Sequence, residues 1–305
     1  MSNDRRPLFG TEVGSRLDAF GSVEWSLMIS IALVWGSSFL LIELSLETFH
    51  PSVISWSRIV LGFATLTLFP SARRTIDRED WSRIAVLSMT WVAIPFSLFP
   101  FAQQHIDSAL TGMLIGLVPI FAAVFAAIFL RSMPRRIQAA GIGIGFVGVV
   151  GIGLPALGDS SSSVFGVGLV AVATVLLGLS INLSVPLQHR YGGPAVMVRT
   201  LGIASVATLP FALAGLSRST WDVSSAAAVS VLGVLGTGVA FVLMAQFVGR
   251  VGPTRSGVAI YLNTIVSIVL GVVFLAETVV AAQLVGTILL LTGAWLTSRK
   301  ERELS

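Results

Sequence analysis

Apolar stretches of about twenty residues each follow one another along almost the whole chain, from Trp25 to Ser298. The hydrocarbon core of a bilayer is about 30 Å thick, so a helix that crosses it needs roughly twenty apolar residues. Its backbone amides must be satisfied within the segment, because lipid offers them no partner. We therefore predict an all-α integral membrane protein with ten transmembrane helices. The predicted spans are residues 25–46, 52–70, 82–103, 108–130, 136–154, 164–184, 196–216, 225–247, 254–275 and 279–298.

The positive charges are distributed unevenly over the connections between these spans. Arg58 lies inside a span and Arg218 lies on one side of the membrane, whereas all other Lys and Arg residues fall on the alternate connections and the two tails. Because positively charged connections remain in the cytoplasm, this pattern predicts that both termini are cytoplasmic. The first 24 residues lack an apolar signal-peptide core, so we expect the first span itself to direct insertion.

The composition excludes several other classes of protein. Of the 305 residues, 54% are hydrophobic and 11% are charged, against about 25% charged in a soluble domain. The net charge of +4 does not indicate nucleic-acid binding, because the arginines follow one membrane face, where anionic lipid accounts for them. The chain has no cysteine, which excludes disulfides and thiol ligands. The connections are too short to hold a soluble catalytic domain, so function must lie within the membrane.

The chain contains an internal repeat at an offset of 145 residues, at which residues 112–148 align without a gap with residues 257–293. The matches include the pair Gln138 and Gln283 and a shared glycine spacing. The aligned segment covers the fourth and fifth spans of one half and the ninth and tenth of the other, so each half holds five spans. An odd number of spans per half gives the two halves opposite orientations, as in secondary transporters that work by alternating access.

Several motifs resemble those of EamA-type members of the drug/metabolite transporter superfamily. The motifs are Trp35-Gly36-Ser37-Ser38-Phe39, Pro51 with the Arg58 stretch, Leu117-Val118-Pro119-Ile120, and Phe274-Leu275-Ala276-Glu277 leading to Gln283, Gly286 and Gly293. The resemblance implies ten helices in a 5+5 inverted repeat and, in many members, export of amino acids or related metabolites. Two positions depart from the family pattern: Ser132 stands where an acidic residue typically closes the fourth helix, and Glu43 stands where the first helix often has Lys.

The repeat and the resemblance together define the expected organisation of the chain. We expect a cytoplasmic tail over residues 1–24 and a first EamA repeat with helices 1–5 over residues 25–155. A second EamA repeat with helices 6–10 is expected over residues 164–298, followed by a cytoplasmic tail over residues 299–305. Such a chain would be a multi-pass protein of the inner, or plasma, membrane.

Arg58 is the one cationic side chain well inside a predicted span and not at its edge, roughly 9 Å from the outer end of the second helix. A guanidinium keeps its charge there, so it needs a carboxylate, backbone carbonyls, water or a substrate anion. One interpretation is a structural pair with Glu43, which lies at a compatible depth on the first helix, or an arginine that reaches toward the headgroups. The other is an anchor for the carboxylate of a substrate.

Further candidate site residues lie near the middle of several spans. Trp35, Ser37 and Ser38 form a small-residue and aromatic run in the first span, and Trp91 is central in the third. The serines are either packing surface or hydrogen-bonding groups of a cavity, and the tryptophans are either core or aromatic cavity walls.

The fourth and ninth spans carry repeat-equivalent residues at mid-depth. Pro119 and Thr264 are equivalent, with Tyr261 and Asn263 beside the latter. Proline removes a helical hydrogen bond and leaves a carbonyl free to face a cavity. Asn263 must face protein or water, and a helix–helix hydrogen bond would account for it equally well. We predict that these helices form the moving gate and part of the substrate site.

Gly143-x-Gly145-x-x-Gly148 matches the dinucleotide-binding fingerprint, which requires a preceding strand and a solvated helix start. Here the motif lies in an apolar span, so the match is false. Gly141 and Gly145 form instead a GxxxG face, which predicts that the fifth helix packs closely on a neighbour or on a second protomer. The sequence shows no zinc, Walker or nucleophile motif, so we predict no cofactor, no metal site and no enzymatic activity.

These features predict a secondary transporter. The resemblance implies that it exports a small metabolite, with an amino acid or a similar amphipathic compound as the substrate. Extrusion of hydrophobic drugs or cations is an alternative that the aromatic residues would also serve. An intramembrane enzyme acting on lipid-linked substrates would need paired acidic or nucleophilic residues within the spans, and the sequence shows none. The expected partners are the substrate and the lipid bilayer, without nucleic acid. Proton coupling or facilitated diffusion, and a monomer or a homodimer, are all compatible with the sequence.

Overall fold

A computed structural model describes residues 20–129, 131, 136–159, 161–251, 256 and 258–298. The regular secondary structure of this part of the chain is helical throughout, as the sequence predicts. Ten long helices are found in it. They are α1 Ser22–Leu46, α2 Pro51–Thr67, α3 Arg78–Gln103, α4 Ser108–Phe129, α5 Arg136–Asp159, α6 Ser161–Tyr191, α7 Gly193–Leu216, α8 Val223–Val251, α9 Val258–Leu275 and α10 Ala281–Ser298.

Each long helix corresponds to one predicted span, with differences at the ends. Helix α2 stops at Thr67, not at residue 70, and a separate 3₁₀ helix begins at Pro70. Proline disfavours the helical conformation of the residue before it, which explains the earlier end. Seven of the described helices are long and apolar enough to cross a membrane, and the apolar stretches Ala259–Leu275 and Ala281–Thr297 are shorter.

Three helices change their winding near mid-depth. Helix α3 contains a π-helical segment over Ser88–Ala93, and α8 contains another over Val234–Val239. The two π-segments occupy equivalent positions in the two halves. In α4, a 3₁₀ turn over Ile115–Leu117 comes directly before Pro119, whose ring removes a hydrogen bond from the helix. Helix α4 is thus more tightly wound in the turn before Pro119.

The packing of the helices repeats between the two halves. Helix α1 packs on α8 and α9, and its counterpart α6 packs on α3 and α4. Counterparts also pack on each other, α2 on α7 and α5 on α10. This pairing is that of two five-helix repeats related by a two-fold axis.

The α5–α10 contact shows that the two repeats are inverted. A Cβ added to Gly148 would lie 2.5 Å from the Gly286 carbonyl oxygen, and one added to Gly293 would lie 2.4 Å from the Gly141 carbonyl oxygen. The start of α5 therefore meets the end of α10, so equivalent helices run antiparallel. The close packing predicted for the fifth helix is confirmed, and the neighbour is α10 of the same chain.

Candidate functional site

Arg58 on α2 is buried and is held by groups from two other helices. Its Nε donates a hydrogen bond to Thr237 Oγ1 on α8 at 3.0 Å, and its Cζ lies 4.1 Å from the centroid of the Phe96 ring on α3. The aromatic face attracts the cation and replaces part of its lost hydration. Within the described residues Arg58 has no carboxylate partner, and its two terminal nitrogens make no hydrogen bond. The two terminal nitrogens of a buried cation are therefore left for a ligand.

Glu43, the partner considered for Arg58, is engaged elsewhere. Gln103 Nε2 on α3 donates to Glu43 Oε2 at 3.2 Å and to the Phe39 carbonyl at 2.9 Å. The Glu43–Arg58 ion pair is therefore absent from the described structure, and that part of the structural interpretation is wrong. The Gln103 Oε1 atom is buried and has no hydrogen-bond partner among the described residues.

The two mid-depth tryptophans are joined by a third aromatic ring. The Phe241 ring on α8 lies edge-on to Trp35 with centroids 6.2 Å apart, and edge-on to Trp91 with centroids 6.1 Å apart. All three rings are half-buried. Edge-to-face pairs of this kind are favourable and fix the orientation of each ring. The aromatic cluster Trp35, Trp91 and Phe241 thus connects α1, α3 and α8, across both halves.

The π-segments supply residues to both the charged and the aromatic groups. Trp91 is the fourth residue of the α3 π-segment, and Thr237 is the fourth residue of the α8 π-segment. The Thr237 hydroxyl donates to the Leu232 carbonyl five residues earlier at 3.3 Å, and so follows the wide helical winding. Single π-turns inside α-helices are frequent at functional sites, because they re-aim side chains.

Ser37 and Ser38 both make hydrogen bonds within α1, and Ser38 also lies against α8. The hydroxyls of Ser37 and Ser38 both donate to the Val34 carbonyl, at 3.1 Å and 3.2 Å. Ser38 is buried, and a Cβ added to Gly236 would lie 3.3 Å from its hydroxyl oxygen. Ser38 therefore lies beside Gly236 of the α8 π-segment, the residue before Thr237.

The candidates on α4 and α9 form a neighbouring region where α4, α9 and α1 pack together. Gly36 allows α1 to approach α9, since a Cβ there would lie 3.0 Å from the Asn263 carbonyl oxygen. Asn263 is buried, and its Oδ1 has no partner among the described residues. Thr264 is buried and donates to the Ile260 carbonyl at 3.4 Å. Pro119 and Tyr261 are half-buried, and Tyr261 packs against the main hydrophobic core.

Glu277, at the end of α9, has a partner that the sequence did not reveal. Its carboxylate accepts hydrogen bonds from the backbone amides of Ser108 at 2.9 Å and Ala109 at 2.8 Å. It thereby caps the N-terminus of α4 in the other half, where a negative charge is favourable. Its counterpart Ser132 lies outside the described residues.

The structure thus links Trp35 and Trp91 through Phe241 on α8, and places Arg58 and Ser38 at the π-segment of the same helix. The α9 candidates lie next to α1 at Gly36. Sequence reasoning missed Phe96, Thr237 and Phe241. The signal available for the last two was the glycine-flanked stretch Gly236-Thr237-Gly238 near the middle of an apolar span. Within the searched residues, no group of three or more potential metal ligands occurs.

Comparison with known proteins identifies relatives over nearly the whole chain. A transporter of Archaeoglobus fulgidus described as uncharacterized is 24% identical and covers 91% of this chain and 99% of its own. The "Probable terminal-alkyne amino-acid exporter" of Streptantibioticus cattleyicolor is 26% identical and covers 90% and 93%. The uncharacterized inner membrane transporter YedA of Escherichia coli is 21% identical and covers 82% of each chain. A crystal structure matches with a TM-score of 0.64 at 20% identity, over 91% of this chain and 96% of the other, which supports the fold.

The model of the EamA-like transporter family matches residues 24–154 and again residues 164–299. These matches and the names of the relatives indicate a transporter with a small-molecule substrate, not an enzyme. The relatives and the apolar helices place it in the inner membrane as a multi-pass protein. The chain belongs to the EamA-like transporter family.

Proposed function

We propose that this protein exports a small amphipathic metabolite, an amino acid or a close relative of one, by alternating access between its two halves. The observation that carries the proposal is the position of Arg58. Its partners Phe96 and Thr237 lie on α3 and α8, the helices that also carry Trp91 and Phe241 of the aromatic cluster. A cation next to apolar rings suits a molecule with a carboxylate at one end and an apolar side chain at the other.

In this proposal Arg58 binds the substrate carboxylate. The guanidinium fork matches the two oxygens of a carboxylate, and a charge-assisted pair of this kind is strong in a dry site. Thr237 accepts a hydrogen bond from Nε and the Phe96 ring lies against the guanidinium, so that its terminal nitrogens are oriented before the substrate arrives. The hydroxyls of Ser37 and Ser38 lie one turn or less from Trp35 on the same helix and add hydrogen-bonding capacity.

The apolar part of the substrate would contact Trp35, Trp91 and Phe241. Rings arranged edge-to-face leave parts of their faces free for an apolar or planar group. The neighbouring α4 and α9 residues Pro119, Tyr261, Asn263 and Thr264 would form the opposite wall and the gate. The unpaired Oδ1 of Asn263 is a suitable acceptor for a substrate amino group.

The named relative from Streptantibioticus cattleyicolor supports the amino-acid class, because its name describes an amino-acid exporter. Hydrophobic cations would suit the aromatic cluster alone. The Arg58 guanidinium would repel them at short range in a site of low dielectric constant. We therefore prefer a zwitterionic or anionic substrate to a cationic drug.

The arginine asymmetry supports a further part of the proposal, that both termini face the cytoplasm. In this orientation the proposed repeats over residues 25–155 and 164–298 expose their Arg-rich connections to the cytoplasm. Reporter fusions active only in the cytoplasm or only in the periplasm, placed after Ser305 and after Arg218, test it. The account expects the cytoplasmic reporter to work at the first position and the periplasmic one at the second; the reverse pattern overturns it.

Transport is tested with purified protein in liposomes and a mixed pool of labelled amino acids, with and without an imposed pH gradient. Saturable entry of one amino-acid class supports the carrier, and dependence on the gradient separates proton antiport from facilitated diffusion. We expect Trp35→Ala and Asn263→Ala to abolish entry while both variants insert and fold. Wild-type transport by both variants would move the site away from these helices.

A further inference from the structure

A cavity of about 650 Å³ lies at the periphery, between α2, α7 and the start of α3. Its walls are largely apolar and include Phe63 on α2 and Val198, Gly202 and Val206 on α7. Val206 has 72% of its side chain exposed, which in a transmembrane helix means contact with lipid. The cavity therefore opens sideways toward the bilayer.

One face of α2 lines this cavity, and the opposite face contacts the proposed substrate site. Arg58, Gly62 and Thr65 contact the π-segment of α8, whereas Phe63 and Thr67 line the cavity. Residues in a helix are separated by 100°, so the first set and the second set point in roughly opposite directions. The cavity is thus separate from the Arg58 region.

Two arginines stand at one end of the cavity with unused donors. Arg199 Nη1 donates to the Ala72 carbonyl and, at 3.1 Å, to the Ala195 carbonyl. Its Nε and Nη2 make no hydrogen bond to the described residues. Arg73, on the connection between α2 and α3, is exposed and has neither a hydrogen bond nor an ion pair within the described part of the chain. The bond to Ala72 fixes the Arg199 guanidinium beside the backbone of the residue before Arg73, and both arginines line the cavity.

The dimensions fit a lipid lying along α7. From Arg199 to Val206 the helix rises roughly 10 Å. This is about half the thickness of one leaflet, counting its acyl chains and its headgroup region. The two arginines belong to the Arg-rich connections, where anionic headgroups are attracted. A phosphate diester offers oxygens to both guanidinium groups.

We propose that this cavity binds an anionic phospholipid, with its phosphate on Arg73 and Arg199 and one acyl chain along Phe63, Gly202 and Val206. Such a lipid would bridge α2 and α7, the counterpart helices of the two halves. The proposal depends on the membrane location and not on the identity of the transported substrate.

The test uses the purified full chain in mild detergent, titrated with phosphatidylglycerol or with phosphatidylcholine of the same acyl chains. Native mass spectrometry counts the bound lipids, and thermal unfolding reports their effect. We expect phosphatidylglycerol to bind about 10-fold or more tightly than phosphatidylcholine. Arg73→Gln and Arg199→Gln should each reduce this preference. Arg73→Gln is the cleaner variant, because Arg73 is exposed and makes no hydrogen bond or ion pair with the described residues.

Arg74→Gln is the matched control, since Arg74 is the exposed neighbour and does not line the cavity. It should bind phosphatidylglycerol like the wild type, and inorganic phosphate alone should neither stabilise the protein nor displace the lipid. Equal affinity for the two lipids, an equal loss in Arg74→Gln and Arg73→Gln, or full competition by inorganic phosphate would each overturn the proposal.

Discussion

The α5–α10 contact and the centre around Arg58 are both places where the two halves meet, and they are built in opposite ways. At the α5–α10 contact, glycines bring two regular helices together backbone to backbone. At the centre, α3 and α8 contain π-helical segments. There the Arg58 cation of α2 meets a hydroxyl of α8, and aromatic rings of α3 and α8 meet each other. The first arrangement suits a permanent joint, and the second suits a site that binds and releases a ligand.

Symmetry sharpens this difference. The α5–α10 glycines are equivalent in sequence as well as in space, with Gly141 matching Gly286 and Gly148 matching Gly293. The two π-segments share their length and winding, but the fourth residue is Trp91 in one and Thr237 in the other. The repeat therefore supplies the architecture, while unequal side chains at equivalent positions supply a site with an apolar side and a polar side.

The largest expected effect comes from breaking the α5–α10 contact with Gly148→Leu. A Cβ at this position would lie 2.5 Å from backbone atoms of α10, which cannot move aside as a side chain can. We expect a loss of about 3 kcal/mol or more, and little monodisperse protein after extraction in detergent. Yield and the midpoint of thermal unfolding measure the effect.

Gly143→Leu is the control for that variant, because a Cβ at Gly143 meets nothing within 4 Å. It should extract and unfold like the wild type. If Gly148→Leu did the same, the α5–α10 contact would not be a tight joint.

The next effect is on transport and comes from Arg58→Gln. Glutamine retains a donor for Thr237 but loses the charge, so we expect transport to fall roughly 10- to 100-fold, the value of a charge-assisted hydrogen bond. The initial rate in liposomes measures it. Arg218→Gln removes a charge from the exposed connection between α7 and α8 and should transport normally. Equal transport rates for Arg58→Gln and Arg218→Gln would show that Arg58 does not bind the substrate.

Glu277→Gln tests a cap that links the halves outside both regions. The neutral side chain keeps one acceptor for the amides of Ser108 and Ala109, but loses the favourable interaction of the carboxylate with the helix N-terminus. We expect a loss of about 1 kcal/mol in stability, with transport at saturating substrate retained. Thermal unfolding alongside a transport assay separates the two effects; unchanged stability would contradict the cap.

The smallest effect concerns pH and His50, which caps α2 by accepting a hydrogen bond from the Ser52 amide through Nδ1. Burial, and to a smaller extent the charge of Arg218, lower the pKa of His50. The folded state thus prefers the neutral ring. The cap stabilises the protein fully above the unfolded pKa of about 6.5, and this contribution is lost as pH falls through the lower folded pKa.

His50→Asn provides the comparison, because asparagine caps helices without titrating in this range. Between pH 8 and pH 5, the unfolding midpoint of the wild type should fall relative to that of His50→Asn. A constant difference between the two proteins over this range would show that the His50 cap does not titrate.

The fold was largely predictable because the bilayer imposes simple rules. Length and apolarity located the ten helices, and the repeat at an offset of 145 residues indicated the inverted halves. Gly141 and Gly145 could be assigned to close packing since glycine lets helix backbones approach closely. Which helix would be the neighbour required the tertiary arrangement.

The site was less predictable, because its contacts join residues far apart in the sequence. Arg58 stood out as a buried charge, but Thr237 and Phe96 hold it in place of Glu43. Thr237 and Phe241 resemble ordinary residues of an apolar span, and π-helical winding has no reliable sequence signal. Glu277 was similarly visible as a charge, but its partners are backbone amides, which every residue possesses.

The central claim is that Arg58 recognises a carboxylate beside the aromatic cluster, and its most direct test compares a transported apolar amino acid with its decarboxylated amine. Both are offered to liposomes containing the wild type or Arg58→Gln, and initial rates are measured. The account predicts that the wild type strongly prefers the amino acid and that Arg58→Gln loses this preference. If the variant discriminates between the two compounds as the wild type does, Arg58 does not bind the carboxylate and the proposed site is wrong.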